Sequence, residues 1–289
     1  MNKTVSVVTL VHNREKQLTN LIRGLEMSEL PPAELVIVRM NEVPKSDLPA
    51  TSFPVRQVRL QNKADKIPLA QARNQAARAA RSEVILFLDV DCIPGRNLTE
   101  KMFDFQQSNP GLIMSDVRYL HEGGAEKSLS ESALIAHSVP HPRRPLVPVG
   151  EIVREENYTL FWSLCFSINR TVFEKIGGFD ENFRGYGAED TDFAFSARDV
   201  GVPFYLSGTY CFHQYHPVYR PPLNNFHTII HNAKVFKEKR GRWAMESWLE
   251  DFAKANFIEW TEESEEITLL RTPAKTEVEE VFSDTGKGY

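Results

Sequence analysis

The sequence predicts an α/β fold: a mixed, mainly parallel sheet flanked by helices, in one domain with a C-terminal helical extension. Two observations carry this prediction. Apolar runs of strand length alternate with helical patterns over the first two-thirds of the 289 residues. Those runs are almost continuously hydrophobic, as strands covered on both faces are. The composition, 42% hydrophobic and 25% charged, is that of an ordinary soluble globular protein. No apolar run approaches the roughly 20 residues that span a bilayer, and no internal repeat is visible.

The elements follow in order. TVSVVTLV (4–11) reads as a first buried strand. Its apolar stretch is broken by Ser and Thr and followed by His, Asn and Arg, unlike the h-region of a signal peptide. REKQLTNLIRGLEMS (14–28) has apolar residues at helical spacing, ELVIVRM (34–40) is a second strand and FPVRQVRL (53–60) a shorter third. LAQARNQAARAAR (69–81) is alanine-rich and strongly helical. EVILFLDVD (83–91) is a strand ending in acids, with a helix near Leu98–Gln107 after it.

From 121 to 157 Pro, Gly and charges scatter without periodicity, the pattern of a long functional or mobile loop. YTLFWSLCFSINR then gives a strand leading to a helix near Thr171–Ile176. GYGAEDTDFAFSARDVG (185–201) is a glycine-rich turn entering a helix, and the short segments PFYLSG and TYCFHQYHP follow it. Helical segments at 224–240 and 244–258 have no low-complexity linker before them and are expected to pack on the same core.

The net charge of −5 is unevenly placed. From Thr261 onward there are eight acids and three bases, so the tail carries all of the excess and the rest is balanced. Nothing resembles a nucleic-acid footprint, which would show a strong basic excess. The expected organisation is therefore a main domain at 1–220, packed helices at 221–260, and an acidic tail at 261–289 that is partly disordered after Thr272. Cys92, Cys165 and Cys211 have no CxxC spacing and no even count, which fits reduced thiols and a cytoplasmic location.

Three groups of residues suggest chemistry. Asp89 and Asp91 lie just past a strand end, where open α/β sheets bind ligands. Two such acids can offer hard oxygens to a ribose and to Mg²⁺ or Mn²⁺; the plain alternative is a pair of turn acids. His213 and His216 follow a short strand and could complete a metal site with those acids, or simply be packed residues. Glu189 and Asp190 open a helix, where acids suit the positive end of the dipole. Taken alone they read as helix caps.

Together these segments resemble a known family. VSVVTLVHNR, LAQARNQAA, FLDVDCIP, FWSLCFSINRTVFEKIGGFDENFRGYGAEDTDFAFSARDVG and FHQYHP occur in the order found in family 2 glycosyltransferases of the GT-A (Rossmann-like) fold, which use nucleotide sugars. The Gly-Tyr-Gly-Ala-Glu-Asp stretch is similar to a motif of β-1,4-galactosyltransferases and chondroitin-type polymerases. The resemblance covers Val5 to Pro217. It implies that Asp91 binds metal and that Asp89 lies near the ribose, with Thr9, His12, Asn13 and Arg14 at the nucleotide and Arg73 near the donor. His213 is implied as a metal ligand with His216 as the substitute, Asp190 as general base, and Glu189 and Trp162 on the acceptor side; Asp192 is read as structural.

The function so implied is an inverting, metal-dependent transfer of a hexose or N-acetylhexosamine to a saccharide or other hydroxyl acceptor. A carboxylate takes the acceptor's proton while a cation stabilises the leaving diphosphate. That division of labour explains two acidic sites about 100 residues apart, and it favours Asp190 as a base over a cap. One departure stands out. Relatives carry a base-reading Asp after the second strand, where this chain has Arg39, Asn41 and Glu42. UDP is expected from the galactosyltransferase-like second half. A retaining transferase of the same fold and an inactive sugar-nucleotide-binding protein are the alternatives. A dinucleotide oxidoreductase is excluded, because VHNREKQL stands where GxGxxG would be needed, and a sugar-phosphate nucleotidyltransferase lacks its glycine-rich phosphate loop.

Overall fold

The computed structural model describes residues 3–62 and 67–284. The chain begins with β1 (Val5–Val11), α1 (Glu15–Glu26), β2 (Glu34–Met40), β3 (Val55–Leu60), α2 (Leu69–Ala79) and β4 (Val84–Leu88). Next come β5 (Cys92–Pro94), α3 (Leu98–Ser108), β6 (Leu112–Leu120), α4 (Gly124–Lys127), α5 (Glu131–Ala136), β7 (Ser138–Pro140) and β8 (Ile152–Glu155). They are followed by β9 (Cys165–Asn169), α6 (Arg170–Ile176), α7 (Glu189–Asp199) and β10 (Phe204–His213). The remainder holds β11 (Val218–Tyr219), α8 (Phe226–Arg240), α9 (Glu246–Lys254), β12 (Ile258–Glu259), β13 (Thr268–Leu269), α10 (Lys275–Glu280) and β14 (Phe282–Ser283).

The main sheet runs β3-β2-β1-β4-β9-β6-β10-β5, with β7 beside β6 and β8 beside β10. β1, β2, β3 and β4 are mutually parallel; β9 is antiparallel to both β4 and β6, and β10 is parallel to β6. The sheet is thus mixed, as expected.

Successive side chains of a strand face opposite sides, and β1 supplies both faces with apolar groups. Val5, Val7 and Val11 pack with Leu18, Leu21, Ile22 and Leu25 of α1 and with Leu98 and Met102 of α3. Val8 and Leu10 join the opposite layer, with Ala72 and Ala76 of α2, Phe173 of α6 and Phe193 of α7. An aromatic stack in that second layer places the site. Phe87 of β4 lies 4.5 Å from Phe166 of β9, and Phe193 stacks 4.2 Å from Phe179 while also meeting Phe166. These rings fix the start of α7 beside the end of β4.

Four expectations are corrected. The segment 121–157 is not structureless; it carries α4, α5, β7 and β8. PFYLSG and TYCFHQYHP form one strand, β10, whose register against β6 shifts between Ser207 and Tyr210. Gly208 is required in that bulge, since a Cβ there would lie 1.9 Å from the Pro148 carbonyl oxygen. The chain after Thr272 is ordered as α10 and β14, and β14 pairs with β11; residues 285–289 lie outside the described residues. The helices after residue 220 only partly share the main core: Phe236 belongs to the α7 side, while Phe226, Ile229, Leu249, Phe252 and Trp260 form a smaller cluster of their own. Among the described residues, no helix is long and apolar enough to cross a membrane.

Candidate active site

Asp89 and Asp91 bracket the turn after β4, at the carboxyl edge of the parallel strands. The Asp91 backbone carbonyl accepts from Gln214 N, which ties this turn to the end of β10 and draws two histidines to the acid. His213 Nε2 lies 3.5 Å from Asp91 Oδ1, and His216 Nε2 lies 3.4 Å from Asp91 Oδ2. Ligand atoms of the three residues all fall within 4.8 Å of one another. His216 donates Nδ1–H to the Pro217 carbonyl at 2.9 Å, so its Nε2 faces the carboxylate, which raises the proton affinity of the ring against the effect of burial. Asp91 Oδ1 is buried without a hydrogen-bond partner. Lone pairs facing an anion at this distance need a cation or a proton between them, so the set fits a divalent ion. Burial opposes charge on Asp91, but His213, His216 and Arg14 outweigh it and hold the carboxyl well below the usual range. Burial keeps His213 neutral, the form in which imidazole binds metal.

The second acidic pair comes from the turn before α7. Gly187 adopts φ 109 and Ala188 φ 67, a reversal that aims Glu189 and Asp190 inward. The φ of Gly187 demands glycine; a Cβ there would also press on Met245 Sδ at 2.5 Å, although this flexible side chain can give way. Arg73, from α2, joins the two acidic sites. Its Nη1 donates to Glu189 Oε1 at 2.9 Å and its Nη2 lies 3.7 Å from Asp89 Oδ1. Glu189 Oε2 accepts from Gly187 N at 3.0 Å, so this buried acid is fully engaged.

Asp190 differs. Its Oδ1 accepts from Thr191 N at 2.7 Å, yet burial first, and the neighbouring Glu189 second, push its carboxyl up to about 6. Asp89 is pushed up to about 7 by burial, against the pull of Arg73. Asp192 faces away and is paired with Lys239 and Arg240, a structural role.

Residues 54–200, just over half of the chain, match the family model described as "Glycosyltransferase like family 2". The chain belongs to this glycosyltransferase family. It is 38% identical over 156 residues to validoxylamine A glucosyltransferase of Streptomyces hygroscopicus subsp. jinggangensis (strain 5008), covering 48% of this chain and 37% of that protein. It is 22% identical over 257 residues to the uncharacterized glycosyltransferase YfnE of Bacillus subtilis (strain 168), covering 73% and 65%. The match therefore spans little more than a third of the length of the glucosyltransferase and just under two thirds of YfnE. Among solved structures, S. aureus TarS 1-349 aligns with TM-score 0.54 and 15% identity over 81% of this chain and 65% of that one. GalNAc-T7, solved with UDP, GalNAc and Mn²⁺, aligns with TM-score 0.54 and 16% identity over 87% and 56%. At such identities the likeness speaks for the fold, which is GT-A.

The remaining residues expected in this family 2 site fall around the same edge. Thr9 is buried within β1, its hydroxyl unpartnered. His12 donates Nδ1–H to the Met40 carbonyl at 2.8 Å and accepts from Asn13 Nδ2 at 3.0 Å. Arg14 acts electrostatically on Asp91, His213 and His216. Trp162 stands edge-on to His141 at 4.7 Å, with the Arg144 guanidinium 4.1 Å over its ring.

Sequence reasoning gives no site role to Glu42, Tyr186, Trp248 or Arg144. Glu42 accepts from Asn13 N at 2.5 Å and lies 3.7 Å from His12, which puts a carboxylate at the β1–β2 edge after all. Arg39, by contrast, is fully buried and bonded to Glu15, Gln57 and Glu42. Tyr186, exposed next to the acids, stacks on Trp248 at 5.7 Å and offers an aromatic surface. Arg144 came from the segment read as loop, where nothing periodic marked it.

Proposed function

We propose that this chain is an inverting, metal-dependent hexosyl or N-acetylhexosaminyl transferase that uses a nucleotide sugar, UDP-linked, and a hydroxyl acceptor. The observation that carries the reading is the convergence of two acidic sites through Arg73, which touches Glu189 and neighbours Asp89. One side holds ligands for a cation and the other a carboxylate with raised proton affinity.

Asp91, His213 and His216 would hold the cation. The mixed oxygen and imidazole set suits Mn²⁺ better than Mg²⁺, which prefers oxygen alone. When bound, that ion supplies charge for the departing diphosphate. Asp89 and Arg73 orient the donor sugar and ribose, while Thr9, His12, Asn13 and Glu42 line the nucleoside end. Asp190 accepts the proton of the attacking hydroxyl. With its carboxyl near 6 it is deprotonated at neutral pH, yet basic enough to take that proton. Glu189 positions the acceptor and Arg73, and Trp162, Tyr186 and Trp248 give the sugar apolar faces to lie on. Similarity of the GYGAED stretch to galactosyltransferases supports this assignment, and the reduced cysteines support a cytoplasmic site of action.

UDP release by the purified protein, measured with and without Mn²⁺, separates an enzyme from a binding protein. The anomeric configuration of the product separates inversion from retention, and a retained configuration would overturn the role of Asp190.

A further inference from the structure

Arg144 is nine-tenths buried, with 9% of its surface exposed. Its Nη1 meets the thioether of Met114, at 2.7 Å. Nε and Nη2 have no hydrogen-bond partner among the described residues. Those two nitrogens form one edge of the guanidinium, the side-on fork that matches the two oxygens of a carboxylate or phosphate. The Trp162 ring holds the plane of the group in place, 4.1 Å from its centre. Burial pushes Arg144 down to about 10, and Tyr119, Asp116 and Asp190 pull the other way without bonding that edge. Arg143 and Arg220 add to the positive field here: together with burial and Arg144 they depress the adjacent His141 to about 4. A buried, oriented fork whose Nε and Nη2 lack partners among the described residues, with Arg143 and Arg220 near it, is a recognition element for an anion.

We propose that the acceptor carries an anionic group, a carboxylate or a phosphate, which the Nε–Nη2 edge of Arg144 binds beside Trp162 and Asp190. This rests on the reading of the Asp190 side as the acceptor side. The donor's diphosphate is the competing anion, but the arginine acting on Asp91, His213 and His216 is Arg14, whereas Arg144 is drawn to Tyr119, Asp116 and Asp190, none of which belongs to that set.

The test is titration of wild type, Arg144→Gln and Arg144→Lys with glucuronate, glucose 6-phosphate and glucose, in the presence of Mn²⁺ and UDP. Wild type is expected to bind one anionic sugar at least about tenfold more tightly than glucose. Gln should abolish that preference. Lys, which keeps the charge but not the fork, should retain only part of it. Melting temperatures and glucose affinity of all three proteins control for folding, and the Lys variant decides if Gln fails to fold. Equal affinity of wild type for all three sugars, or a preference unchanged in the variants, overturns the proposal. A tenfold loss of UDP affinity in Arg144→Gln also overturns it, by assigning the fork to the donor. Failure of wild type to bind UDP with Mn²⁺ would instead sink the glycosyltransferase reading itself.

Discussion

Asp190→Asn separates the two roles an acid can play at the start of α7. The amide keeps the side-chain oxygen that accepts from Thr191 N at 2.7 Å, so the local backbone is retained. It cannot accept the acceptor's proton, and loss of a positioned base slows transfer by roughly 100- to 10,000-fold. Stability should move the other way. The carboxyl is pushed from 3.8 to about 6 in the folded protein. A raised acid contributes stability below its unfolded pKa and loses it as pH rises through the folded value. At pH 7.5 the ionised group is therefore a burden on the order of 3 kcal/mol, from about two pKa units at 1.36 kcal/mol each. The favourable helix-dipole term that Asn gives up is only about 0.3–1 kcal/mol. The Asn variant should melt a few degrees higher at pH 7.5, with the gain vanishing near pH 4. In wild type kcat should rise with pH through about 6 and level off. Burial first, then Glu189 and, in opposition, Arg73 set this limb. Transfer rates from UDP release and melting curves at both pH values read the two effects together. Full activity in the variant would refute the base and return Asp190 to a cap.

Asp91→Ala should abolish Mn²⁺-dependent UDP binding in calorimetry without lowering the melting temperature. His213→Ala and His216→Ala should each weaken Mn²⁺ affinity at least about tenfold, because both face Asp91 at nearly equal distance. Arg73→Ala leaves Glu189 buried without its cation, so urea denaturation should show a loss of about 3 kcal/mol in addition to lost activity. Truncation after Thr272 removes Val278 and Val281, which pack on the C-terminal cluster, and the bond from Arg220 N to the Val281 carbonyl. A loss of about 1–3 kcal/mol is expected, and an unchanged melting temperature would show that α10 and β14 add nothing.

What could be read from the sequence was local. Strands β1, β2 and β4 are short apolar runs whose burial on both faces leaves no polar alternation to confuse with helix. Asp89, Asp91 and the Glu189–Asp190 pair were visible because they sit at the ends of such elements, where side chains converge on the ligand edge. Arg144 was not visible, since its meaning arises only when the loop carrying it folds against Met114 and Trp162. Ser-Gly-Thr at 207–209 looks like a turn and divides β10 in the sequence; the register shift against β6, with Gly208 N bonded to the carbonyl of Glu151 just before β8, reveals a bulge instead. The tail's acidity masks Val278 of α10 and Val281 at its C-cap, three residues apart and both packed on the C-terminal cluster. Sequence cannot separate His213 from His216, because the end of β10 and the residues just after it bring both rings to the same carboxylate.

Calorimetry of wild type and Asp91→Ala with UDP-sugars, in Mn²⁺ and in EDTA, is the most direct test of metal-assisted nucleotide-sugar binding at this site. Wild type should bind one UDP-sugar in Mn²⁺ and lose at least about tenfold in affinity in EDTA, and the variant should behave in Mn²⁺ as wild type does in EDTA. Equal binding in all four conditions, or none in any, would contradict the assignment of Asp91, His213 and His216 as the cation site of a UDP-sugar transferase.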